Sequence, residues 1–227
     1  MPEIKQIKTG GVVYDLAART NRNLLINWDF KNPVNQRGVT DWQGIGYNLD
    51  GWRGNHESGR YSLTTDGLTM AAENSICYFC QWLETDYSNV ELTLSCVENG
   101  TVYSVSRVLT KQASLSMTLP SGVLVMCTWD SNKSLYRVVF SIGAGRSTTI
   151  SRVKLEVGAV STISNDPPAE YGAELLRCQR YFQTFSSVDA RPVYGTDCRP
   201  VMRLREPTKP AAITVNGVTY YCYSAEL

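Results

Sequence analysis

An all-β fold, a two-sheet sandwich, is predicted by three features of this chain. Short apolar runs recur from about residue 23 to residue 160. Turn signals built from Gly, Asn and Asp separate them at spacings of roughly 8–12 residues. The composition, with 13 Tyr, 17 Gly and abundant Val, Thr and Ser, suits pleated, half-buried surfaces and tight turns. Roughly eight to ten strands fit the pattern, which favours a sandwich over a βαβ arrangement.

The elements follow in chain order. Ile4, Ile7 and the Val12-Val13 pair flank Gly10-Gly11, so residues 1–20 read as an arm with a short hairpin, too small to fold alone. NLLINWDF opens the main domain, residues 21–165, and a long loop rich in Gly, Asn and Trp spans residues 31–60. RYSLTTDGLTMAA is a hairpin about Asp66-Gly67. ICYFCQWLE is a strand apolar on both faces. VELTLSCVENGTVYSVSRVLT is the clearest hairpin, with apolar alternation on either side of Asn99-Gly100. SLSMTL, GVLVMCTW, LYRVVFSIG and TTISRVKLEVGAV complete the series. Pro167-Pro168 marks a boundary, and residues 166–227 form a C-terminal segment. It comprises a helix of two to three turns in AELLRCQRYFQ and the strands FQTFSSV, PVMRL and AAITVNGVTYYCYSAEL, the last turning at Asn216-Gly217. This segment is marginal as an independent domain and is expected to dock on the sandwich or across a subunit interface.

Bulk properties exclude several classes. With 22 basic and 21 acidic residues the formal charge is +1, without the basic stripe that phosphate binding requires, so no nucleic-acid partner is expected. No apolar run approaches the ~20 residues that span a bilayer, so no membrane insertion is expected. The N-terminus lacks the apolar core of a signal peptide. Seven cysteines are scattered without repeating spacing. Cys77 and Cys80 form a CxxC, but no second pair exists and His56 is the single histidine, so no metal is expected. In a strand these two thiols face opposite sides. All seven are read as free thiols, and no cofactor is expected.

NLLINWDFKNPVNQRG (residues 23–38), YNLDGWRG (47–54), KLEVGAV (154–160), AELLRCQRYFQ (173–183), PVMR (200–203) and the terminal SAEL resemble, in this order, elements of bacteriophage and prophage tail-fibre and head-fibre proteins. Two positions depart from that pattern: Trp28 replaces a small residue or proline, and Gly51 replaces an arginine. The resemblance implies a carbohydrate-binding-like jelly roll in a virion appendage, synthesised in the bacterial cytoplasm. It further implies a homotrimer, contacts with other virion proteins and attachment to a bacterial surface glycan.

The loop of residues 31–60 concentrates the candidate ligand groups. A sugar stacks its CH-rich face on an aromatic ring while amides and carboxylates take its hydroxyls. Trp42, Tyr47, Asn48 and His56 are the candidate glycan-binding residues, and Trp52 is read as core. No catalytic residue is expected. Asp29, Asp41, Asp50 and Glu57 offer the carboxyls a glycosidase needs, yet the repetitive β-helix of polysaccharide depolymerases is missing, and no GxSxG accompanies His56. The competing readings are a structural head or tail decoration and, after it, a depolymerase. The helix is expected to bury Leu175, Cys178 and Tyr181, with Arg177 or Arg180 paired to Glu156 or Glu170.

Overall fold

The computed structural model describes residues 6–9, 12–15, 20–185, 212–215 and 217–226. β1 (Gln6–Thr9) and β2 (Val12–Asp15) form the expected hairpin, with Thr9 opposite Val12. The expected strand PVMRL and Cys198 lie outside the described residues.

Two six-stranded antiparallel sheets make the sandwich. The strands are β3 (Asp41–Gln43), β4 (Gly46–Leu49), β5 (Trp52–Gly54), β6 (Gly59–Thr64), β7 (Gly67–Ala72), β8 (Cys77–Trp82), β9 (Glu91–Glu98), β10 (Thr101–Val108), β11 (Leu115–Thr118), β12 (Leu124–Asp130), β13 (Leu135–Ile142) and β14 (Ser147–Val157). The first sheet runs β10-β9-β14-β7-β6-β3 and the second β11-β12-β13-β8-β5-β4. Long-range pairs close both sheets, β7 with β14 and β8 with β13, while β9–β10 and β11–β12 are sequential pairs. Asn99 and Gly100 both take positive φ, 49° and 80°, the turn that matches the twist of β9 and β10.

NLLINWDF is not a strand. Asn27 adopts φ 51°, and its side chain is held by the Val34 amide and the Val34 and Asp50 carbonyls. This interrupts the extended run, so the segment lies along β14 as an irregular strip. The Leu24 amide donates to the Leu155 carbonyl, the Val153 amide to Trp28 and the Phe30 amide to Ser151. The loop of residues 31–60 is likewise more regular than expected, since it supplies β3, β4 and β5.

Between the sheets lies an aromatic stack. Trp52, fully buried as expected, is parallel to Phe79 at 5.3 Å and meets Phe30 edge-on at 5.4 Å. Tyr61 and Trp42 extend the stack, their rings 5.5 Å apart. Truncation of a core aromatic of this kind costs about 3–5 kcal/mol.

Outside the first sheet, the segment after β14 folds back over it. Thr93 and Ser106 donate to the carbonyls of Gly158 and Ala159, and Ser95 bonds Ser161. Alternation along β14 sends Val153 and Leu155 to the core and Lys154 and Glu156 outward, yet this cover buries both charged residues completely. Lys154 Nζ lies 2.6 Å from Asp166 and 3.6 Å from Glu156, and donates to the hydroxyls of Thr20 and Thr162. Beyond the sandwich come α1 (Tyr171–Gln179) and a three-stranded sheet of β15 (Phe182–Phe185), β16 (Ile213–Val215) and β17 (Val218–Ser224), in the order β15-β17-β16.

The six described cysteines are all buried and free. Cys77 faces the inter-sheet core. Cys80 packs on the opposite face with Trp82 and Val139, and burial pushes its thiol up to about 12. The CxxC is thus split across the sheet.

Candidate functional site

Helix α1 builds one end of the sandwich. Glu170 caps it, accepting from the amides of Gly172 at 2.9 Å and Ala173 at 2.6 Å, and these bonds lower its pKa. Glu174 turns inward and accepts from the Asn27 amide at 2.5 Å. Arg177 pairs with Glu174 at 3.1 Å and donates to the carbonyls of Leu25 and Asn23. AELLR thereby fastens the backbone of NLLIN, which positions the strip on which the site is built. The expected carboxylate partners were different. Glu170 is occupied by the cap and Glu156 by Lys154 and Thr162, so Arg177 takes Glu174 and Arg180 takes Glu84 at 3.1 Å. Cys178 is buried as expected, whereas Leu175 and Tyr181 are half-buried, because Glu174 rather than Leu175 points into the sandwich.

A second buried ionic cluster fixes the C-terminal strands. Arg37 lies 2.8 Å from Asp50 and 2.6 Å from Glu226, with its guanidinium 3.6 Å above the ring of Phe182. The Gln36 amide donates to Asp50, its side chain donates to the Phe182 carbonyl, and the Gly51 amide donates to Glu226. Two carboxylates share one cation here. Burial raises Asp50 and pushes Glu226 up to about 7, while Arg37 opposes both shifts. Gly51 sits at φ 77°, a conformation strained for any other residue, and a Cβ there would also displace the Ile26 side chain, which it would meet at 2.7 Å.

Where α1, the strip and the edge of the second sheet converge, a cleft of about 280 Å³ opens. Its recognition groups are Arg22, Tyr47, Trp82, Tyr87, Arg180 and Tyr181. Trp82 donates its indole N–H to Asp130 at 2.9 Å and is 6% exposed, so its ring is a fixed wall. Gln81 contributes no free amide, since it exchanges both bonds with the Ile26 main chain.

The four expected glycan residues do not form one site. Trp42 is a correction: the ring is 8% exposed and stacked on Tyr61, because β3 alternates and sends Asp41 and Gln43 outward. Tyr47 lies on the opposite sheet, half-buried, lines the cleft and stands 6.0 Å from the Arg53 guanidinium. Asn48 is half-buried at the register shift between β4 and β5. His56 is also set apart from the cleft. Its Nδ1 accepts from the Ser58 amide at 3.1 Å and its Nε2 lies 3.4 Å from the Ser75 hydroxyl, so it shapes the turn into β6. No family model, curated protein or solved structure matches this chain. The chemistry therefore rests on the cleft itself.

Tyr47, Tyr87 and Tyr181 supply ring surface against the buried Trp82 wall, and the exposed Arg22 and the half-exposed Arg180 supply donors at the rim. The two carboxylates in the wall are engaged, Glu84 by Arg180 and Glu226 by Arg37. Sequence reading missed Arg22, Trp82, Tyr87 and Tyr181 because their proximity arises only in the folded chain.

Proposed function

We propose that this chain is a virion appendage protein that binds a bacterial surface glycan in the cleft beneath α1, without chemical turnover. The virion role rests on the resemblance of residues 23–38, 47–54 and 173–183 to phage fibre elements, within an all-β two-sheet sandwich. The observation that carries saccharide binding is the convergence of tyrosine and tryptophan rings with arginine donors in one concave site. The volume lies just below the ~300–1,000 Å³ range of ligand pockets, which suits a terminal sugar or two rather than a long polymer. Weak single-site binding gains strength from many copies on one particle.

Glycan-array binding, or adsorption to a panel of bacterial strains, tests the reading. Tyr47→Ala and Arg180→Ala should each weaken binding about tenfold or more, as loss of a stacking ring or charged donor does, and Arg180→Ala should leave melting nearly unchanged. Trp42→Ala should instead destabilise the fold by about 3–5 kcal/mol. Unaltered binding in both cleft variants would refute the assignment. Release of reducing ends from a polysaccharide would replace binding by depolymerisation.

A structural decoration role is the second reading. It is favoured by the outer face of the second sheet, where Tyr47, Tyr78, Met126 and Leu135 pack on Cys80, Trp82 and Val139 as an apolar surface. Protection of Tyr78 and Met126 from oxidative labelling in the assembled particle, with no glycan bound, would support it.

A further inference from the structure

The edges of the sandwich are unequal. β3, β4 and β11 end their sheets with 3, 4 and 4 residues, lengths too short to template another strand. β10 ends the first sheet with 8 residues, paired with β9 in unbroken register and free of proline, lysine and bulges. Its exposed side chains include Val102 at 39% and Val108 at 47%.

The parity of its hydrogen bonds is set. A two-residue turn makes the flanking pair, Glu98 and Thr101, a hydrogen-bonded one. The bond from the Leu109 amide to the Val90 carbonyl, 2.9 Å, continues the same parity. Thr101, Tyr103, Val105 and Arg107 thus turn their main-chain groups to β9. Val102, Ser104, Ser106 and Val108 present theirs outward, and no described main-chain group meets them.

We propose that β10 pairs antiparallel with β10 of a second copy of this chain, about a two-fold axis through Val105. Only registers that set outward residues opposite outward residues form the ladder. The register centred on Val105 uses all of them: Val102 faces Val108 and Ser104 faces Ser106 on each side of the axis, with two bonds per pair. The side chains agree with this register. The two exposed valines cover one another, serine meets serine, Tyr103 meets the Arg107 guanidinium, and Val105 meets itself. No like charges fall opposite. A shift of two residues sets valine against serine and strands part of the ladder. The contact is isologous and joins two six-stranded sheets into one. It is independent of the cleft and of the threefold assembly implied by the resemblance, since a two-fold contact doubles whatever assembly carries it.

Two measurements test the pairing in the intact chain. Ser104→Pro removes an outward N–H that β9 does not use, so it should halve the mass measured by light scattering, from twice 25.3 kDa to one chain, or from six chains to three. Val105→Cys should yield a covalent dimer under mild oxidation, because the two positions face one another across the axis. Thr101→Cys should not, because in this register its copies lie ~27 Å apart at 3.4 Å per residue. A mass that Ser104→Pro leaves unchanged, or cross-linking at position 101 equal to that at 105, would overturn the proposal. If Ser104→Pro fails to fold, the cross-linking contrast decides alone.

Discussion

The Lys154 and Arg37 clusters each set one cation between two carboxylates with little exposed side-chain surface, yet they fasten the chain in different ways. Lys154, Glu156, Thr162 and Asp166 belong to one short stretch, with Thr20 as the only distant member. Arg37 and Asp50 lie close in sequence, whereas Glu226 and Phe182 come from the C-terminal strands. The cations differ in kind. The compact ammonium of Lys154 gathers hydroxyls and carboxylates around one point, while the planar guanidinium of Arg37 bridges two carboxylates and lies flat on a ring. The first cluster seals a cover over β14; the second ties residues 36–50 to the C-terminal strands. The same charge arithmetic therefore serves a local cover in one place and a long-range tie in the other.

The largest effects should come from deleting the cations. Lys154→Met strands Glu156 and Asp166 beneath the cover, and removal of one partner from a buried pair costs about 3–5 kcal/mol. The melting temperature should drop by roughly 10 °C for a chain of this size. Arg37→Met leaves the same number of uncompensated carboxylates, but the chain can relieve them by releasing β15–β17. Hydrogen exchange should then show lost protection in β17 with β9 and β14 unaffected. Equal, global destabilisation by both variants would erase the distinction.

Acid–base behaviour sharpens it next. Glu226 is raised to about 7 from 4.5, so the folded state holds its proton more tightly than the unfolded state does. Docking of the C-terminal strands is then strongest below pH 4.5, weakens as the pH rises, and reaches its minimum above 7. The change is on the order of 3 kcal/mol. Asp50 is shifted in the same direction, so Glu226→Gln should flatten the slope without abolishing it. Exchange protection of β17 that rose with pH would contradict the sign. The smallest effect is expected at the helix start, where Glu170→Ala removes the cap and should lower the melting temperature only slightly.

Much of the sandwich was legible in the sequence because its signals are local. Asn99-Gly100, the alternation of β9 and β13, and the CxxC split across a strand each depend on neighbours within a few residues. Trp42 was legible in principle, since Asp-Trp-Gln is a polar–apolar–polar strand pattern. The surrounding glycines made it read as an exposed loop. The strip at residues 23–30 misled for the opposite reason: its apolar run looks extended, and only the side-chain bonds of Asn27 reveal the break. The cleft had no local signature. Arg180 meets Glu84 across 96 residues, and Tyr47 and Tyr181 share a site only through tertiary docking.

The 189-residue separation of Arg37 and Glu226 has a consequence for synthesis. At translation speeds of roughly 5–20 residues per second, Glu226 emerges about 10–40 s after Arg37. Asp50 follows Arg37 by only 13 residues and neutralises it at once. The nascent sandwich can therefore condense around a balanced ion pair while the rest of the chain is still being made. The second carboxylate arrives late, and its proton affinity rises only as it is buried on docking. Docking of the C-terminal strands is in this way a closing step of folding that the earlier core does not have to await.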